Sequence, residues 1–109
     1  QRKWGNKYNN VHQTYNGYYY MSKKEAAYAM ELDLRVKAKD IKSWARQVKL
    51  SLDVNGYHIA NYFVDFVITH KDNSKEMVEI KGIETDTWRI KWKLTEALYG
   101  KDYQMTVIK

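Results

Sequence analysis

The feature that most limits what this chain can fold into is Asn55-Gly56, set between two long runs, IKSWARQVKLSLDV and YHIANYFVDFVITH, rich in β-branched and aromatic residues. Asn-Gly adopts positive backbone angles at both positions with little strain, as a two-residue hairpin loop that follows the twist of its strands requires. The two runs therefore predict one long antiparallel hairpin. Its second arm is apolar on both parities from Tyr62 to Ile68, the pattern of a central strand covered on both faces.

The other elements fall into order around that hairpin. Asn16-Gly17, between VHQTY and YYYM, predicts a smaller one. Ser22 opens SKKEAAYAMELDLRVKA, where Ala26, Ala29, Met30 and Leu34 recur at helical spacing and predict a helix over residues 23–38. A polar turn from Lys71 to Ser74 leads into a third strand, KEMVEIKG, ending at Gly82. Thr85 or Asp86 caps a second helix, TWRIKWKLTEALYG, with Ile90, Leu94, Ala97 and Leu98 as its apolar stripe and Gly100 at its C-terminal end. YQMTVI alternates as a closing strand. The expected fold is mixed α/β (α+β): helix, three strands, helix, strand, behind a small hairpin, in a single domain over residues 11–109. Residues 1–10, QRKWGNKYNN, are polar, basic and without periodicity, and predict a flexible arm.

Composition narrows the function classes. Nineteen Lys and Arg against thirteen Asp and Glu leave a formal charge of +6, which favours a polyanionic partner. The chain has no cysteine, so disulfides, thiolate zinc sites and cysteine nucleophiles are excluded, and any metal is held by oxygen or imidazole. No apolar run reaches the roughly 18 to 20 residues that span a bilayer, and no charged-then-apolar leader precedes the first motif. A soluble protein of the cell interior, without a membrane partner, is expected.

The candidate chemistry lies on the second and third strands. Asp65 sits inside YFVDFVI, where an ionised carboxylate among apolar groups is strongly unfavourable unless a cation or several donors compensate it. Glu79 and Lys81 are two apart, so their side chains leave one face of the next strand roughly 7 Å from each other, while Val78 and Ile80 point the other way. If the two strands are neighbours, two carboxylates and an ammonium converge where oxygen ligands suit a hard cation such as Mg²⁺. Such a cation polarises a phosphoryl group and lowers the pKa of a bound water. A structural Asp65 to Lys81 ion pair explains the same spacing, and on spacing alone both readings stand. Glu25 completes Ser22-x-x-Glu25, a capping box. Gln47 and Lys49 share a face of the first long strand and either could border the same cleft.

An acid on the first helix, then Asp65, then Glu79-Ile80-Lys81, in an αβββαβ order over residues 22 to 108, resembles the PD-(D/E)XK nuclease superfamily, and within it small phage and prophage nuclease domains similar to Holliday junction resolvases. The resemblance implies a restriction-endonuclease-like core and a Mg²⁺-dependent DNA endonuclease, with Mn²⁺ able to substitute, in the cytoplasm of a bacterial or phage-infected cell. It implies Asp65, Glu79 and the backbone carbonyl of Ile80 as metal ligands, Lys81 as the water-activating residue, and Glu25 as an outer or second-metal acid. Val64 stands where the superfamily's name has proline; that proline has no chemical task. A single-strand or flap nuclease, and a catalytically inactive DNA-binding module of the same fold, are the alternatives.

Arg89, Lys91 and Lys93 follow the third strand on the second helix and could contact a phosphate backbone, as could Gln47 and Lys49. Trp88 and Trp92, one turn apart, are expected in the core. Tyr15, Tyr18, Tyr19 and Tyr20 make a sticky hairpin suited to a homodimer. His12, His58 and His70 have no metal-ligand spacing and no adjacent nucleophile, so no role is assigned to them.

Overall fold

The computed structural model of the protein describes residues 13–109, and the expected arm at residues 1–10 lies outside them. The chain divides into two compact units, one ending at Asp40 and one running from Ile41 to Lys109. In the first, β1 (Gln13–Tyr15) and β2 (Tyr18–Tyr20) pair antiparallel. Asn16 and Gly17 turn between them at φ 51° and 84°, as the sequence predicts. α1 (Lys23–Lys37) starts at Ser22, whose hydroxyl accepts a hydrogen bond from the Glu25 backbone N–H at 3.2 Å. That bond is one arm of the capping box.

α1 contacts both short strands, and the Tyr15 hydroxyl donates to the Asp33 carboxylate. Ala26, Ala29 and Leu32 are its buried residues, while Met30 and Leu34, expected on the apolar stripe, are exposed. Each residue turns a helix by about 100°, so a stripe centred on Ala29 leaves Leu34 about 140° away.

The second unit holds β3 (Ile41–Val54), β4 (Tyr57–His70), β5 (Lys75–Ile80), α2 (Asp86–Tyr99) and β6 (Tyr103–Ile108). Their sheet order is β3-β4-β5-β6, antiparallel except for the parallel pair β5 and β6. Parallel neighbours cannot be joined by a tight turn, and α2 supplies the crossover. The predicted mixed α+β element order is therefore present, and Asn55 and Gly56 close the long hairpin at φ 52° and 83°.

α2 covers the sheet with Trp88, Trp92 and Thr95; of the stripe the sequence suggested, Leu94 and Leu98 pack half-buried against the same cluster, while Ala97 is exposed and Ile90 is 69% exposed. Two residues from Trp88, it lies about 160° around the helix. The Trp88 and Trp92 rings stack at 6.0 Å between centroids, Tyr62 lies 6.1 Å from Trp92, and Leu50, Leu52, Val64 and Met77 complete the buried cluster. Burying each of these large apolar groups stabilises the unit by about 1.5–3 kcal/mol.

The side chains that join this cluster change parity along the sheet. Along β4 they are even-numbered towards the hairpin tip (Ala60, Tyr62, Val64) and odd-numbered on the other side of Asp65 (Val67). A regular strand shows one parity to one face, so a break in the alternation is required. On β3, Trp44 packs on Phe66 outside the cluster while Val48 joins it, and Gln47 between them has a φ of 47°, left-handed and uncommon for a residue with a side chain.

Gly56 is the position at which the hairpin depends on glycine, because its φ of 83° is strained for any L side chain although the space around it is open. Gly56→Ala is expected to lower stability by about 1–2 kcal/mol. The urea-unfolding midpoint should fall with an unchanged slope; an unchanged midpoint would mean that the loop does not set the register.

Candidate active site where two strands part

Backbone pairing between β4 and β5 runs from Thr69 with Lys75 to Phe66 with Val78 and goes no further among the described residues. On the other side of β4, the ladder with β3 steps from Arg46 with Phe66 to Val48 with Val64. Asp65 and Glu79 stand just beyond the last β4–β5 pair, facing each other where the strands part. Their side chains take over the pairing. The Asp65 backbone N–H donates to Glu79 Oε1 at 3.2 Å, and the Ile80 backbone N–H donates to Asp65 Oδ2 at 2.9 Å.

Each carboxylate has further donors. Gln47 Nε2 donates to Asp65 Oδ1 at 3.1 Å from the neighbouring strand β3, where the ladder skips both residues. The Trp88 indole N–H is shared between Glu79 Oε2 at 3.2 Å and the Tyr62 hydroxyl at 2.8 Å. Lys81, half-buried, holds its Nζ 5.3 Å from the centre of the Trp88 ring, a cation–π distance. Among the described residues no ion pair joins Lys81 to Asp65, so the simple structural pairing that the spacing allowed is not what holds Asp65. The two carboxylates, the Ile80 amide and the Lys81 ammonium thus gather at the end of β5, beside the N-terminal turn of α2.

Electrostatically the pair is under tension. Burial raises the Asp65 pKa, opposed by the Ile80 and Gln47 hydrogen bonds and by the Lys81 and Arg46 charges. Burial raises that of Glu79 too, the charge on Asp65 adds to it, and bonds from Tyr62 and the Asp65 amide oppose it. Tyr62 is itself pushed up, first by burial and then by Glu79, so its hydroxyl keeps its proton and can act as a donor. Glu79 is only 4% exposed and Asp65 half-buried, so two acids face each other in a poorly solvated place that disfavours charge on both.

The oxygen set fits a hard divalent cation: Asp65 and Glu79 carboxylates, with the Ile80 carbonyl on the same stretch of β5. Among the described residues no three His, Asp or Glu side chains cluster to hold a metal, so this pair would need backbone and water to complete a shell. Glu25 is in the first turn of α1 in the other unit, with its own N–H capped by Ser22.

The expected nucleic-acid contacts are distributed unevenly. Gln47 belongs to the Asp65 cluster, and Lys49 is exposed on β3 directly opposite Phe63. On α2, Lys93 is exposed and Lys91 half-buried, while Arg89 is held by Asp86 at 3.0 Å and Glu84 at 3.5 Å. A phosphate would have to compete with those acids for Arg89.

Sequence reasoning placed Trp88 in the core, where it is, but missed its second task of holding Glu79, and it missed Tyr62. Both carry a polar tip on a buried ring, a combination that needs a partner, and this was the available signal. His58 meets both Ser51 and Asp53 through the same Nδ1, at 3.0 and 2.8 Å, so it cannot relay a proton between them and has no catalytic geometry. His70 is hydrogen-bonded to Glu76 at 2.8 Å. His12 lies outside the described residues.

The chain belongs to the family described as Protein of unknown function (DUF1064), whose model matches residues 5–109. No curated protein and no solved structure matches it.

The raised carboxylates have a consequence for stability. A carboxyl with a folded pKa above its unfolded value binds its proton more tightly in the native state. Its contribution to stability is complete below the unfolded value and is lost as pH rises through the folded one. Asp65→Asn, which cannot ionise and also relieves Glu79, should gain stability relative to the parent as pH rises from 4 to 8 in metal-chelating buffer. Chemical denaturation at each pH checks this, and a parent-to-variant difference that is flat with pH would contradict it.

Proposed function

We propose that this member of the family is a Mg²⁺-dependent DNA endonuclease with a PD-(D/E)XK-type centre, acting on branched or otherwise structured DNA in phage or prophage DNA metabolism. The observation that carries the reading is the exchange of side-chain to backbone hydrogen bonds between Asp65 and the Glu79-Ile80 segment at the point where β4 and β5 part. Two desolvated acids with raised pKa values, and an ammonium one alternate position along, are an unstable arrangement without a cation and a serviceable one with it. The surplus of positive charge and the lysines near the site suit a phosphodiester substrate.

In this reading Asp65, Glu79 and the Ile80 carbonyl would hold the cation, and Mn²⁺ would serve in its place. Bound there, it supplies Lewis acidity and a water of lowered pKa. The chain's own groups do the rest. Gln47 and the Ile80 amide fix the Asp65 carboxylate, and Trp88 and Tyr62 fix that of Glu79, so neither has to reorganise when substrate arrives. Lys81, kept beside the site by the Trp88 ring, directs its ammonium at the attacking water and offsets charge that builds on the phosphoryl oxygens. Lys49, Lys91, Lys93 and Arg89 position the backbone of the DNA. Paired cuts across a junction need two such centres, so the working form is a homodimer.

Cleavage of a four-way junction, a flap, a duplex and a single strand in Mg²⁺ tests the activity. The junction should be cut in a symmetric pair of nicks, Asp65→Ala should abolish cutting, and Lys81→Ala should slow it by about 10²- to 10³-fold. Preference for the flap or the single strand would move the substrate class, and binding without cleavage of any substrate would leave a DNA-binding module. Independently of turnover, Mg²⁺ or Mn²⁺ at about 100 times its Kd should stabilise the parent by about 2.7 kcal/mol. The shift should vanish in Asp65→Asn; a shift that survives there would put the cation elsewhere.

A further inference from the structure

The face of the long hairpin beyond Asp65 carries an unexplained aromatic. Phe63 is 51% exposed, two residues along β4 from Asp65, and its cross-strand partner is the exposed Lys49. Its nearest neighbours on that face are polar, Asn61 next along β4 and paired with Ser51, and Gln47 bound to Asp65, while Ile59 and Tyr57 are exposed further towards the hairpin tip. The alternate residues Tyr62 and Val64 are buried in the cluster beneath α2, so the fold of β4 does not use Phe63. At half exposure the phenyl ring forgoes much of the reward of hydrophobic burial where it stands.

We propose that Phe63 is a stacking platform for an unpaired nucleobase lying beside the phosphate to be cut, with Lys49 holding the adjoining backbone. This rests on the nuclease reading above and specifies its substrate as DNA whose bases are unpaired next to the cleavage point. Three observations select that occupant. The Phe63 backbone is one alternate strand position from that of Asp65, a step of roughly 7 Å along β4. A cation stands directly opposite it, as a polyanion requires and a second apolar surface would not. The positions beside it, Asn61, Ser51 and Gln47, offer amide and hydroxyl groups that hydrogen-bond base edges, and every base has a π-face that an aromatic ring accepts.

The test compares binding of the full chain to a duplex and to the same duplex with a short single-stranded gap, by fluorescence anisotropy in metal-chelating buffer so that nothing is cut. Phe63→Ala should weaken binding to the gapped DNA by about tenfold and leave the duplex within twofold. Phe63→Trp should retain gap binding, and Phe63→Leu, which keeps an apolar side chain without a π-face, should lose it. A 2-aminopurine in the gap should be quenched by the parent and not by Phe63→Ala. Equal losses on both DNAs, an unquenched probe with the parent, or a dimer that Phe63→Ala converts to monomers in sedimentation would overturn the platform while leaving the nuclease reading in place. A parent that binds neither DNA would also overturn the platform, and the Mg²⁺ cleavage assay on the four-way junction decides the nuclease reading separately.

Discussion

The arrangement turns on the gap left when β4 and β5 stop pairing. Past Phe66 and Val78 a normal ladder would continue through backbone groups, but here the Asp65 amide goes to a carboxylate and the Asp65 carboxylate receives the Ile80 amide. Those bonds keep buried backbone N–H groups satisfied where the strands diverge, which a sheet interior requires. The same two bonds aim two acids into the opening. Structural need and candidate chemistry are met by one set of atoms, and neither acid could be replaced by an apolar group without orphaning an amide.

Around that gap the protein builds a wall that is apolar in bulk and polar at chosen points. Trp88 stacks on Trp92 as a core residue while its indole N–H is shared between Tyr62 and Glu79 and its ring lies under the Lys81 ammonium. An acid, an aromatic donor and a cation thus support one another in a poorly solvated place. The change of side-chain parity at Gln47 fits the same logic. It lets the hairpin beyond the site present Leu50, Leu52, Tyr62 and Val64 to α2, and leaves Phe63 and Lys49 on the side turned away from that cluster.

Much of this was legible in the residues. The two Asn-Gly turns, the capping serine and the alternation of apolar positions gave every element in its order, because each rests on local backbone physics. Asp65 stood out because a carboxylate inside an apolar strand needs a partner. The helix faces were misjudged where stripes were chosen by apolar type: Leu34 and Ile90 were counted inward, while Thr95 is buried with its hydroxyl donating to the Lys91 carbonyl. A threonine that satisfies its own hydroxyl within the helix can be buried as readily as a small hydrophobe. Likewise, β4 looked covered on both faces, yet Phe63 is half exposed.

The sequence by itself determined the turns, the helix starts, the strand runs and the short list of ionisable groups that had to find partners, since these depend on neighbours within a few positions along the chain. Only the tertiary structure decided that β4 and β5 separate at Asp65, that Glu79 is held by Trp88 and Tyr62, and that Lys81 rests on an indole ring and makes no ion pair with Asp65. Those outcomes depend on register between strands and on which face a crossover helix covers. Both are set by packing between residues far apart in the chain, and no local pattern encodes them.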